Sequence, residues 1–146
     1  MLTKFFKKNK DKDKEKNLNK KNILIIALLV HAAKIDENYS EAEKKIIFNF
    51  AINFSKKPKE EVLNIIKKSE EHEESSNQIL EYTRSVKKMD LKLKTLVIET
   101  LWKIILSDNK SGQYESNLVR RICGLLYLPD KLSGEIKLNI LKGKKL

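Results

Sequence analysis

The sequence predicts an all-α fold, a single compact domain of about seven helices built as two pseudo-symmetric helix-turn-helix halves. Three observations predict it. From Asn22 onward strand-type alternation is absent, apolar residues recur at helical spacing, and the few glycines and prolines fall between the periodic segments.

The first helix is expected over residues 22–34, where Ile23 to Val30, Ala32 and Ala33 are apolar on nearly every face, as in a central helix. The second, over 41–54, carries Ile46, Ile47, Phe50, Ala51 and Phe54 as one stripe. The third opens at Pro58, a residue suited to a first turn, with Glu60 and Glu61 complementing the helix dipole and Val62, Leu63, Ile65 and Ile66 turned inward. A shorter fourth helix, over 77–88, carries Ile79, Tyr82, Thr83 and Val86. Asp90 caps the fifth, a second central helix running to about Ser107 with Leu93, Leu96, Val97, Ile98, Leu101, Trp102, Ile104, Ile105 and Leu106. The sixth, over 113–127, repeats Leu118, Val119, Ile122, Leu125 and Leu126 until Pro129 stops it. The seventh starts near Asp130 and carries Leu132, Ile136, Ile140 and Leu141.

The length of 146 residues suits one domain, and 40% hydrophobic residues suffice for a core. The lone Cys123 excludes a disulfide framework and a cysteine-based zinc site, so a soluble protein of a reducing, cytoplasmic compartment is expected. The longest apolar run, Ile23 to Val30, is too short to cross a bilayer and is not placed like a secretory signal.

A net charge of +11 invites a nucleic-acid or membrane reading, so its location matters. Residues 1–21 hold nine lysines against Asp11, Asp13 and Glu15, and Lys142, Lys144 and Lys145 crowd the C-terminus, which leaves residues 22–141 with only +2. The chain therefore divides into a basic, disordered arm over 1–21, a helical domain over 22–142 and a basic tail over 143–146. Within the arm, Phe5 and Phe6 stand among lysines and offer a weak contact to the anionic inner face of a membrane; an untethered tail is the plainer alternative. The 28 lysines, 16 isoleucines and 12 asparagines are also what A/T-rich codons produce, which makes part of the charge compositional drift. With three arginines in all, the bidentate forks that read base edges are scarce, which argues against sequence-specific nucleic-acid binding.

An internal repeat links the two central helices. Asp36-Glu37-Asn38-Tyr39-Ser40-Glu41-Ala42-Glu43 follows the first and Asp108-Asn109-Lys110-Ser111-Gly112-Gln113-Tyr114-Glu115 follows the fifth, each placing six residues between an Asp and a Glu in the passage from an apolar to an amphipathic helix. Such a turn can gather oxygen ligands for a hard divalent cation, Ca²⁺ or Mg²⁺, with Asp36, Glu43, Asp108 and Glu115 as the candidate metal ligands and His31, Asn38 and Ser40 as secondary ones. Ser40-x-x-Glu43 equally matches a capping box, with Gly112 and Glu115 as a weaker version. One carboxylate can do both.

Together with Leu101-Trp102-Lys103-Ile104-Ile105-Leu106-Ser107-Asp108 and Val119-Arg120-Arg121-Ile122-Cys123-Gly124-Leu125-Leu126, these turns resemble the TerB-like family, the tellurite-resistance protein B-like helical domains. The resemblance covers roughly residues 22–130. It implies seven helices in pseudo-two-fold halves, clustered acids holding metal ions at Asp36, Glu43, Asp108 and Glu115, and a place in tellurite resistance and stress responses. The sequence departs from the family pattern at Glu37 and Asn109, where glycine usually follows the turn Asp, and at His31, where an acid is common.

Other residues carry plainer expectations. Glu70-Glu71-His72-Glu73-Glu74 reads as solvated surface at the end of the third helix, Cys123 as a packing residue and Trp102 as a core anchor. Neighbouring Arg120 and Arg121 cannot share a helix face, so one is expected to pair with a turn carboxylate and the other to face solvent. With no nucleophile elbow, phosphate loop or H-E-x-x-H, no enzymatic activity is expected. The expected role is a non-enzymatic accessory or scaffold for a protein partner; the alternatives are an electrostatic adaptor, its lysine arm binding anionic membrane or nucleic acid, and a two-metal hydrolase if the turns lie close together.

Overall fold

A computed structural model describes residues 20–35, 37–75, 79–107 and 113–144, apart from the side chains of 113–116 and 144. The expected disorder of the basic arm lies almost wholly outside these residues. Seven helices, and no strand, occur among the described residues: α1 (20–33), α2 (Glu41–Ser55), α3 (Lys59–Ser75), α4 (Ile79–Lys87), α5 (Leu91–Leu106), α6 (Gln113–Leu125) and α7 (Asp130–Lys144). No helix is long and apolar enough to cross a membrane among the described residues.

Two helices organise the core. Six consecutive residues of α1, Ile25 to Val30, are wholly removed from solvent, as a helix apolar all round must be. Helix α5 buries Val97, Ile98, Leu101, Trp102, Ile104, Ile105 and Leu106 and packs on α2, α4, α6 and α7. At roughly 1.5–3 kcal/mol per large aliphatic side chain, these two helices supply most of the burial that opposes chain entropy. Trp102 is the anchor expected of it, with its Nε1 donating to Ser133 Oγ at 2.9 Å, which ties α5 to α7.

Helix ends refine the sequence boundaries. Pro58 sits at the N-cap of α3 and not in its first turn, since its carbonyl accepts the first helical bond, from Val62 N–H. Helix α1 already includes Lys20 and Lys21, and α7 continues through Gly143 to Lys144, so the helical body takes in the edges of both basic segments. Helix α6 stops at Leu125, two residues early, because Tyr127 turns left-handed (φ 58°) and Leu128 N–H reaches back to Cys123 C=O at 2.9 Å in a Schellman closure. Gly124, Gly134 and Gly143 lie inside α6 and α7, contrary to the expectation that glycines separate helices. A cost of about 1 kcal/mol per helical glycine is small against the packing of Val119, Ile122 and Cys123 on the same helix.

Candidate functional site

The first acidic turn leaves α1 through Ile35 and reaches α2 at Ser40, whose extended backbone (φ −76°, ψ 162°) makes it the N-cap. Ser40 N–H donates to Glu43 Oε1 at 2.9 Å and Glu43 N–H donates to Ser40 Oγ at 3.2 Å, the reciprocal pair of a capping box. Glu43 is only 2% exposed. Capping thus occupies one oxygen of a candidate cation ligand, and a carboxylate keeps further lone pairs for other donors or an ion. Asp36 lies outside the described residues, as does Asp108; helix α6 places Glu115 in its first turn, but its side chain is outside the description. Among the described residues no three His, Cys, Asp or Glu side chains gather as a metal site requires.

Tyr39 precedes the cap, half-buried, with Lys44 Nζ 5.0 Å and Lys34 Nζ 6.0 Å from its ring centroid. Burial first, and then the charges of Glu70, Glu43 and Glu41, push its phenol well above the ordinary tyrosine range. The cations against the ring face and the carboxylates around the hydroxyl divide the residue electrostatically.

Glu73 corrects the reading of residues 70–74 as solvated surface. Glu71 and Glu74 are exposed, but Glu73 is 5% exposed and faces α1. His31 Nδ1 lies 3.3 Å from its Oε1 and Lys34 Nζ 2.9 Å from its Oε2. His31, a secondary candidate ligand, thus uses one ring nitrogen on a carboxylate of α3. A signal for Glu73 was present: Val62, Ile65, Ser69 and Glu73 follow one another by three or four residues and fall on one buried stripe. Nearby, His72 Nε2 lies 3.2 Å from Glu81 Oε1, and both histidines flank the buried ring of Tyr82, at 6.3 Å for His31 and 5.9 Å for His72.

Between these elements opens a cleft of about 340 Å³ lined by His31 and Ile35 of the α1 end, Ile79 of α4 and Asn117, Leu118 and Arg121 of α6. Ile35 directly precedes Asp36, and Asn117 lies two residues beyond Glu115, so described neighbours of both acidic segments line one cleft. Its floor is apolar and its rim polar, the usual composition of a binding site. Arg120 and Arg121 are both exposed, and Arg121 is the one on the rim. Cys123 lies below on the buried face of α6, where burial chiefly raises its thiol pKa, Asp130 adds to the rise and Ser133 opposes it, which makes it a packing residue.

Fold and cleft together define an all-helical domain in which the end of α1 and the start of α6 border a common depression. The family model described as tellurite resistance protein TerB matches residues 22–138, and the chain belongs to that family. No curated protein and no solved structure matches it.

Proposed function

We propose that this TerB-family chain is a non-enzymatic accessory domain of a tellurite-resistance or stress-response system, which takes up a divalent cation at its paired acidic turns and engages a protein partner. The observation that supports it is the cleft: Ile35 and Asn117, neighbours of the two turns, line the same depression. Asp36, Glu43, Asp108 and Glu115 are the residues that would hold the ion, and hard carboxylate and carbonyl oxygens suit Ca²⁺ or Mg²⁺. A bound cation would supply charge neutralisation and would draw the end of α1 and the start of α6 together. This chain's own part is to fix α2 by the Ser40–Glu43 cap, so that Glu43 reaches the turn from a defined helix end.

Calorimetric titration of the full chain with Ca²⁺ and Mg²⁺ tests the reading. Binding heat and a raised Tm are expected, and both should be absent from an Asp36→Asn/Asp108→Asn variant. A chain that gives neither heat nor a Tm shift has turns that serve as helix caps alone.

A further inference from the structure

At the opposite end of α4 and α6 from the cleft, the α4–α5 junction packs against the α6–α7 corner. Lys87 Nζ stands 4.7 Å from the ring centroid of Tyr127, and Lys94 Nζ donates to Leu126 C=O at 3.2 Å. Leu91 lies one turn before Lys94 on the same face of α5, so it is directed to this corner too. Both apolar residues stand out from the surface, Tyr127 at 74% and Leu91 at 63% exposure. Tyr127 also holds a left-handed backbone that glycine or asparagine adopts at less cost, so an aromatic ring is kept in solvent at a position that does not favour it.

The charge around these residues is one-sided. Residues 87–94 and 126–131 contain Lys87, Lys88, Lys92, Lys94 and Lys131 against Asp90 and Asp130, a net of +3 where all of residues 22–141 carry only +2. Over the helical body, residues 20–144, the net charge is +6, so half of it stands in this corner. Both acids of the corner are drawn toward helix N-termini, Asp90 capping α5 through Leu93 N–H at 2.9 Å and Asp130 opening α7, which mutes their opposition to the lysines.

We infer that this corner is a docking surface for an anionic bilayer, with Tyr127 and Leu91 entering the headgroup layer and Lys87, Lys88 and Lys131 meeting lipid phosphates. Tyrosine suits that depth, having an apolar ring and a hydroxyl that stays among the headgroups. Charge complementarity selects the occupant: exposed apolar residues ringed by flexible lysines match a fluid anionic surface, which needs no bidentate recognition. Apolar insertion plus basic charge also supplies the two signals that stable peripheral binding needs. The surface is independent of the acidic turns, and cation binding can fail without affecting it.

The test is co-sedimentation of the full chain with vesicles of phosphatidylcholine mixed with phosphatidylglycerol, and with vesicles of phosphatidylcholine alone. Binding only to the mixed vesicles is expected. Lys87→Gln/Lys88→Gln/Lys131→Gln should lower partition by more than about tenfold, given roughly fivefold per lysine near an anionic surface. Tyr127→Asn, which retains the left-handed turn and so the fold, should lower it severalfold with a melting temperature no lower than that of the wild type. A full-length variant with Lys4, Lys7 and Lys8 replaced by glutamine should keep the dependence on Tyr127, which separates this surface from the basic arm. Partition unaffected by the triple substitution and by Tyr127→Asn overturns the assignment, as does a chain that binds duplex RNA and ignores the vesicles.

Discussion

His31 on α1 and Glu73 on α3 meet at 3.3 Å across 42 residues of sequence, and Lys34, one turn beyond His31, reaches the other oxygen of the same carboxylate at 2.9 Å. The carboxylate is nearly buried while its two partners are part-exposed, at 19% and 28%. Removing a partner therefore leaves a nearly buried carboxylate uncompensated, whereas removing the carboxylate leaves two cations that water can reach. Glu73→Ala is expected to lower unfolding free energy by about 1–2 kcal/mol, below the range for a fully buried pair because water reaches His31 and Lys34. Glu73→Gln should recover part of the loss by accepting from Lys34. Urea unfolding of both variants, with Lys34→Met to complete a double-mutant cycle, measures the coupling.

The Ser40–Glu43 cap yields a prediction that separates structure from ligand binding. Ser40→Ala should cost about 1 kcal/mol, since it leaves the Glu43 amide without its acceptor. Glu43→Gln should cost much less, because glutamine also accepts from the Ser40 amide in a capping box. If the turn takes a divalent cation, the same Glu43→Gln change should weaken the calorimetric signal although the fold is intact. Denaturation and titration of the two variants side by side should then rank them in opposite orders.

Much of this fold was legible because the signals are local. The apolar α1 and α5 declare themselves within single stretches, and S-x-x-E marks the start of α2 by spacing alone. Glu73 was harder, since what makes it buried is His31 and Lys34 of another helix, and its position on the Val62, Ile65, Ser69 stripe competes with four neighbouring polar residues. The cleft could not be read, because it exists only once α1, α4 and α6 converge. Tyr127 shows the same limit: helical periodicity runs through it, and only the Schellman bond to Cys123 shows that the helix has ended.

Tyr39 predicts an alkaline instability. Its phenol is held above the ordinary value of 10.0 in the folded chain by burial and by Glu70, Glu43 and Glu41. The folded state therefore binds this proton more tightly than the unfolded chain does. Its contribution is fully present below the unfolded value and is lost as pH rises from about 10 toward the higher folded value. Wild type should lose Tm over that window more steeply than Tyr39→Phe, whose loss reflects the other titrating groups. At neutral pH the two should melt alike, which calorimetric scans over a pH series check directly.

Ser133 serves two side chains at once, accepting from Trp102 Nε1 at 2.9 Å and holding down the pKa of the Cys123 thiol. Ser133→Ala therefore strands a buried indole donor and removes the one influence that favours the thiolate. The first effect should cost about 1–3 kcal/mol, the desolvation of an unsatisfied buried group. The second makes a distinctive combination: in the native state the thiol should become still less reactive toward a disulfide reagent, although the protein is less stable. If global opening alone exposed Cys123, destabilisation would speed its modification at every pH. Slower modification under strongly native conditions, crossing over to faster modification near the unfolding transition, is the expected signature, and a rate that only rises would show that Ser133 does not govern the thiol.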